Sequence, residues 1–404
     1  MTPAAPARKM TKMILRANAS EKKNLMAGKI EKIKEEVCKL RVDMDEFNLI
    51  SSDSDASIEP PVTDVIEIEE PIIVGRDKQI LRIMESIPVQ AGHCTIVHIY
   101  GQDGSGKTTL ARMVFNHTRF KDYSRVWIQC SGNFRLHEMG KAIISQASGE
   151  EINGDSNDDM EYVRKRLDQL LDNGIKVLVV LDNTQLSWDD SEKLTDLLRE
   201  GNNLSEVIVV ETDGEYDDEE DSEIVWRFGD TREVKSGALS DDMCWTIIKQ
   251  RSRFEGRLFD KQGLEQIGAE IAKKCEGSPL AAAVLGGMLL YKDATGWAEV
   301  LNNDIWAFDH ISEPFLKLAY TSMPPRLRLC FAYCAMIQYG HTIAKDDLIY
   351  QWTSLGLLDQ SDKFSMIHLG EQYIGMLLDM SLLQTVPVSV SYSTVHTMFK
   401  RRWA

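Results

Sequence analysis

CTIVHIYGQDGSGKTT (Cys94–Thr109) is the stretch that decides the fold. Seven residues rich in β-branched and aromatic side chains run straight into Gly101-Gln-Asp-Gly-Ser-Gly106-Lys107-Thr108-Thr109, and helical spacing continues from Thr108 to Asn116. A strand, a GxxxxGK[ST] turn and a helix in that order form a phosphate loop. Gly104 and Gly106 let the backbone curl, so that the N–H groups of the Gly104–Thr109 run (with Ser105) face an anion. The helix N-terminus adds partial positive charge. Lys107 is placed for the β- and γ-phosphates, and the Thr108 hydroxyl for Mg²⁺.

Working outward, Val177–Asp182 (VLVVLD) follows 75 residues after the lysine and reads as a buried strand ending in a carboxylate. Asp182 is the candidate second ligand of Mg²⁺ and the candidate catalytic acid. Val126–Cys130 and Val207–Val210 are further short apolar strands, and Leu136–Ala147 and Met160–Leu171 carry helical spacing between them. Such alternation predicts an α/β P-loop fold, a parallel sheet with helices on both faces. After Ser240 helices dominate, at Asp241–Ser252, Gly263–Cys275, Pro279–Leu290 and Trp297–Asn302. From Phe315 the chain is helical first and ends in the β-branched run Thr385–Val395.

Upstream, Leu25, Ile30, Ile33, Val37, Leu40, Met44 and Phe47 recur at three- and four-residue steps, which predicts an amphipathic helix over Ser20–Leu49. The organisation expected is a partial coiled-coil-like region at 1–50, an acidic linker at 51–71, a P-loop nucleotide-binding domain at 72–238, a helical domain at 239–312 and a third stretch at 313–404. Residues 213–223 form an acidic block of the kind that is usually a solvated loop.

The net charge of −17, from 46 basic and 63 acidic side chains, argues against a nucleic-acid-binding body. Seven cysteines, an odd number without a CxxC pair, read as reduced thiols of a cytoplasmic or nuclear protein. The longest apolar runs fall short of the ~20 residues a membrane helix needs.

Further landmarks are Ile73-Val-Gly-Arg-Asp77, Arg125-Val-Trp-Ile128, Cys275-Glu-Gly-Ser-Pro-Leu-Ala-Ala282 with Leu285-Gly-Gly287, Cys330-Phe-Ala-Tyr-Cys334, Trp352, Gly356-Leu-Leu358 and Val395-His396-Thr397. With the phosphate loop and VLVVLD, this succession over about 72–400 resembles the NB-ARC module of plant nucleotide-binding, leucine-rich-repeat immune receptors (NLRs). These form part of the STAND branch of AAA-type ATPases. The resemblance implies ADP or ATP, with Mg²⁺, held between an α/β domain, a helical domain and, as the third stretch at 313–404, a winged helix. It implies Val74, Gly75 and Arg76 along the adenine, Pro279 packed on the base and His396 reaching the β-phosphate. It also implies a switch in plant defence that rests with ADP, is activated by exchange and oligomerisation with itself or other NLRs, and lies in the cytoplasm or nucleus.

The chain departs from the family pattern at four places. Asn183 replaces an acid expected to orient attacking water, so hydrolysis is expected to be at most very slow and Asn183→Asp to raise it. Gln185 replaces an aromatic. Glu211-Thr212-Asp213 stands where the family has Thr-Thr-Arg, which either sets an anion near the γ-phosphate or leaves Asp213 in the acidic loop. Thr397 replaces the acid after the histidine. The sequence stops at Ala404 without leucine-rich repeats. Two alternatives stay open: a slow true ATPase, and a degenerate scaffold or decoy that holds its nucleotide.

Overall fold

The computed structural model describes residues 73–88, 94–130, 136–149, 160–172, 174–183, 193–194, 196–198, 206–213, 231–257, 261–307, 313–337, 342–358, 365–386 and 394–397. The expected helix at Ser20–Leu49, the linker 51–71, Gln185 and the acidic block beyond Asp213 lie outside these residues.

Five strands, β1 (Cys94–Tyr100), β2 (Ser124–Gln129), β3 (Lys176–Asp182), β4 (Glu206–Asp213) and β5 (Thr231–Lys235), form one parallel sheet in the order β2-β3-β4-β1-β5. Central strands of a parallel sheet are covered on both faces, which is why VLVVL and VIVV read as unbroken apolar runs. Alternate residues supply two separate cores. Val97, Ile99, Leu178, Val180, Ile208 and Val210 pack against α1 (Asp77–Ser86) and α2 (Lys107–Phe115). Ile96, Val126, Val177, Val179 and Val207 pack against α3 (Leu136–Ser148) and α4 (Met160–Leu171).

β4 runs three residues past the Val210 end expected from its apolar content, so Glu211, Thr212 and Asp213 are strand residues paired with His98, Ile99 and Tyr100. β5 was not legible as a strand. It is an edge strand of sequence TREVK in which Val234 is the one residue counted in the core. Edge positions tolerate such charge.

The remaining elements are α5 (Asp241–Arg251), α6 (Lys261–Lys273), α7 (Pro279–Leu290), α8 (Ala294–Leu301), α9 (Pro314–Ser322), α10 (Pro325–Ala335), β6 (Thr342–Ala344), α11 (Lys345–Ser354), α12 (Met366–Asp379), β7 (Leu383–Val386) and β8 (Thr394–Thr397). One continuous core from Leu239 to Leu383 joins the elements from α5 to β7. At its centre α7 is apolar all round, as a fully enclosed helix must be. Gly287 of α7 lies against the backbone of Asp379 and Met380, so the C-terminal end of α12 is seated directly on it. β6, β8 and β7 form a small antiparallel sheet in that order. Among the described residues, no helix is long and apolar enough to cross a membrane.

Candidate functional site

The loop between β1 and α2 adopts the curl expected of it. Gly104 (φ 77°) and Gly106 (φ 90°) occupy the left-handed region, where a side chain would be strained, and Gly106 is the N-cap of α2. The Lys107 ammonium folds back over the loop and donates to the Gly101 and Gln102 carbonyls at 2.7 and 3.0 Å. It also lies 3.8 Å from the exposed Asp103 carboxylate. Ser105 Oγ is buried without a hydrogen-bond partner, close to Gly101 at the start of the loop. An unpartnered hydroxyl in a loop of this shape suits a ligand that brings acceptor oxygens.

Asp182 at the end of β3 is 1% exposed, and the Thr108 hydroxyl donates to its Oδ1 at 2.8 Å. The two residues expected to hold Mg²⁺ are therefore brought together from positions 74 apart in sequence. A hydroxyl and a carboxylate are hard oxygen donors, the set that suits Mg²⁺ in a nucleotide site. When bound, the ion would neutralise phosphate charge, and Thr108 and Asp182 are the residues that would hold it.

One side-chain partner of Asp182 escaped the sequence reading. The Thr212 hydroxyl from β4 also donates to Oδ1, at 2.8 Å, and accepts the Asn183 N–H at 2.7 Å. Asn183 itself turns the chain at φ 62° and donates from Nδ2 to the Cys130 carbonyl at 3.2 Å. Its amide is thus committed to the neighbouring strand end. The buried Cys130 thiol is pushed up to about 12 by desolvation first, then by the Asp182 and Glu211 carboxylates.

Arg76 is 2% exposed. Its guanidinium donates to the Ser105 carbonyl of the phosphate loop and, at 2.9 Å, to Gly237 O beyond β5. Burial lowers its pKa, partly offset by the nearby Cys244 thiol. Space for a Cβ at Gly106 is bounded by the Arg76 guanidinium at 3.5 Å and Pro279 Cγ at 3.8 Å, so Arg76, the loop and Pro279 converge. Gly75 (φ 73°) faces Leu239 and Met243, and Val74 beside it is half-buried. Ser236, another residue the sequence did not single out, donates from Oγ to Ser105 O at 2.9 Å and from its N–H to Tyr100 O at 2.8 Å.

The helical half closes on this site through α7. Ser278 caps the helix by accepting the Ala281 N–H, and Pro279 takes the first turn, where it has no hydrogen bond to lose. The Leu280 N–H donates to Gly104 O at 3.2 Å. Leu280 Cβ would lie 2.8 Å from a Cβ at Gly104, so only glycine allows this approach. The Ser105 N–H and the Lys107 ammonium donate to carbonyls of the loop itself, and Thr109 lies in the first turn of α2. His396 sits in β8, its backbone in register with Thr342 on one side and Gln384 on the other.

The NB-ARC domain model matches residues 76–254, and the model of the disease resistance protein winged helix domain matches residues 337–400. Disease resistance protein RGA2 of Solanum bulbocastanum is 31% identical over 334 residues, which is 80% of this chain and 33% of that protein. Putative disease resistance RPP13-like protein 1 of Arabidopsis thaliana is 27% identical over 339 residues, 80% of this chain and 31% of its own. The chain spans about a third of the length of the curated relatives it matches. Among solved structures, a STAND protein with a tetratricopeptide repeat sensor from Pyrococcus horikoshii shares the fold. The TM-score is 0.50 and the identity 13%, over 85% of this chain and 43% of that one. With a phosphate loop, a strand-end carboxylate and a winged helix in this order on one chain, the protein belongs to the NB-ARC family, in the arrangement found in plant disease resistance proteins.

Proposed function

We propose that the chain is an ADP/ATP-dependent switch in plant defence signalling, resting with ADP and activated by nucleotide exchange and oligomerisation with itself or other NLRs. The observation that carries the reading is the bond from Leu280 N–H to Gly104 O. It supports the switch because the helical half touches the phosphate loop itself, so a ligand in that loop alters the junction directly. Only a ligand with different affinity for the closed and open arrangements can shift the equilibrium. In this reading His396 reaches the β-phosphate from the winged-helix side, Val74–Arg76 and Pro279 line the adenine, and Thr108 and Asp182 hold Mg²⁺. The working units are residues 72–238, 239–312 and 313–404. Six free cysteines among the described residues support a reducing compartment, the cytoplasm or nucleus.

Hydrolysis is at most very slow, because the residue after Asp182 offers an amide already bonded to Cys130 O. The same bond also favours the second reading, a scaffold that holds its nucleotide without exchanging it. ADP is preferred over ATP by at least tenfold, about 1.4 kcal/mol or more, if Asp213 opposes a γ-phosphate. Mass spectrometry of the nucleotide released from denatured protein tests the resting state, and ATP as the main species overturns it. Light scattering with ADP and with a non-hydrolysable ATP analogue separates the two readings: identical mass in both leaves the scaffold.

A further inference from the structure

We propose that Thr212 is the positioning residue of the metal site, the group that fixes the Asp182 carboxylate for a Mg²⁺-bound nucleotide. The inference rests on the nucleotide reading above and extends it to a residue on a third strand. An ionised carboxylate accepts hydrogen bonds and cannot donate them, so both hydroxyls on Asp182 Oδ1 must be donors. Thr212 Oγ1 thereby points its hydrogen at Asp182, 2.8 Å away, and is left to accept the Asn183 N–H at 2.7 Å. The direction of the chain Asn183 N–H to Thr212 O–H to Asp182 is thus fixed throughout. Thr108 is oriented by the same carboxylate at 2.8 Å, so its hydrogen is spent on Asp182 and its oxygen lone pairs are left to accept a cation.

Strand order makes this arrangement possible. β4 lies between β1 and β3, and Thr212 is in register with Ile99, two residues before the phosphate loop begins. The β3–β4 ladder ends at Leu181 and Glu211. Beyond it, the Thr212 side chain holds the end of β3 where the backbone ladder stops. Thr212 is 1% exposed and Asp182 likewise, so no solvent competes for these bonds. Hydrogen-bond partners of metal ligands set ligand orientation, and their loss costs about 10–100-fold in metal affinity.

The test compares Thr212→Val, which keeps the shape without the hydroxyl, with Thr212→Ser, which keeps the hydroxyl. Calorimetry gives the affinity for ADP and for a non-hydrolysable ATP analogue, each in Mg²⁺ and in EDTA. The expected result for Thr212→Val is a loss of about tenfold or more in the Mg²⁺-to-EDTA affinity ratio, with EDTA affinity kept. Thr212→Ser should retain the parental ratio. A Thr212→Val protein with the parental ratio overturns the proposal, and so does an equal fall of affinity in both buffers, which marks general damage. A parent that binds no nucleotide overturns the nucleotide reading and this proposal together; the other failures leave that reading intact.

Discussion

The phosphate end of the sheet and the helical half use glycine and burial in opposite ways. Around the loop, Gly104 and Gly106 stand in the left-handed region, and the buried groups there are polar: Arg76, Ser105, Asp182, Thr212 and Ser236. In the helical half, Gly268 faces Trp245 and Trp297, Gly286 faces Ile248, and Gly287 faces the Asp379 backbone. None of these three has positive φ, and among the described residues from Leu239 onward only Ser252 and Arg328 are buried polar groups. The first kind of glycine shapes backbone for a ligand; the second is a notch that lets helices approach. Buried polar side chains cost stability unless bonded, so their concentration at one end marks where binding was selected over packing.

Lys107→Ala should break the first region alone. Removing the ammonium that bridges Gly101 and Gln102 is expected to weaken ADP about a thousandfold, about 4 kcal/mol, because charge-assisted bonds to phosphate are lost. Ligand-free melting should stay near the parent, while the rise in Tm on adding ADP disappears. Equal ADP retention after gel filtration would contradict the site. Gly287→Ala should do the reverse. Its Cβ would press on the Asp379 and Met380 backbone, which cannot move like a side-chain tip, at a cost of about 3 kcal/mol in chemical denaturation. A parental midpoint would mean that α12 is not seated on α7 as described. Gly104→Ala belongs to both regions, since the position combines φ 77° with the Leu280 contact. It should cost about 2 kcal/mol and weaken ADP as well, and an effect on only one of the two would show that the junction and the pocket are not coupled.

The same contrast explains what could be read beforehand. Local patterns were legible: β1, α4 and α7 fall where periodicity places them, and Gly104–Thr109 and Asp182 were identifiable as single motifs. Meetings across the sheet were not. Thr212 reaches Asp182 only because β4 is inserted between β1 and β3, an order that strand composition does not encode. Asp213 opens the acidic block in the sequence, yet a ladder to β1 carries Glu211-Thr212-Asp213 as strand. β5 hid behind its charges, and with it Ser236, which touches the phosphate loop from the segment that follows. Leu280 stands within the Cys275–Ala282 landmark, but nothing there signals its contact with Gly104.

The smallest effect expected decides what Asn183 does. From sequence it is the amide that displaced a water-orienting acid, and Asn183→Asp then raises turnover. In the structure its Nδ2 donates to Cys130 O, and φ 62° is a backbone conformation that Asn and Asp both tolerate. The substitution keeps the shape but replaces the donor by an anion beside the buried Asp182 carboxylate. A carboxylate cannot donate, and it would face a carbonyl oxygen, so about 1 kcal/mol of stability is lost. The displaced carboxylate gains no fixed position from which to hold water, and catalysis depends on that position. Phosphate release by Asn183→Asp is accordingly expected to stay below about 1 s⁻¹, under the usual enzyme range, with a slightly lower Tm. Turnover that rises tenfold, needs Lys107 and leaves Tm unchanged would mean that position 183 faces the ligand, and the bond to Cys130 would then be incidental.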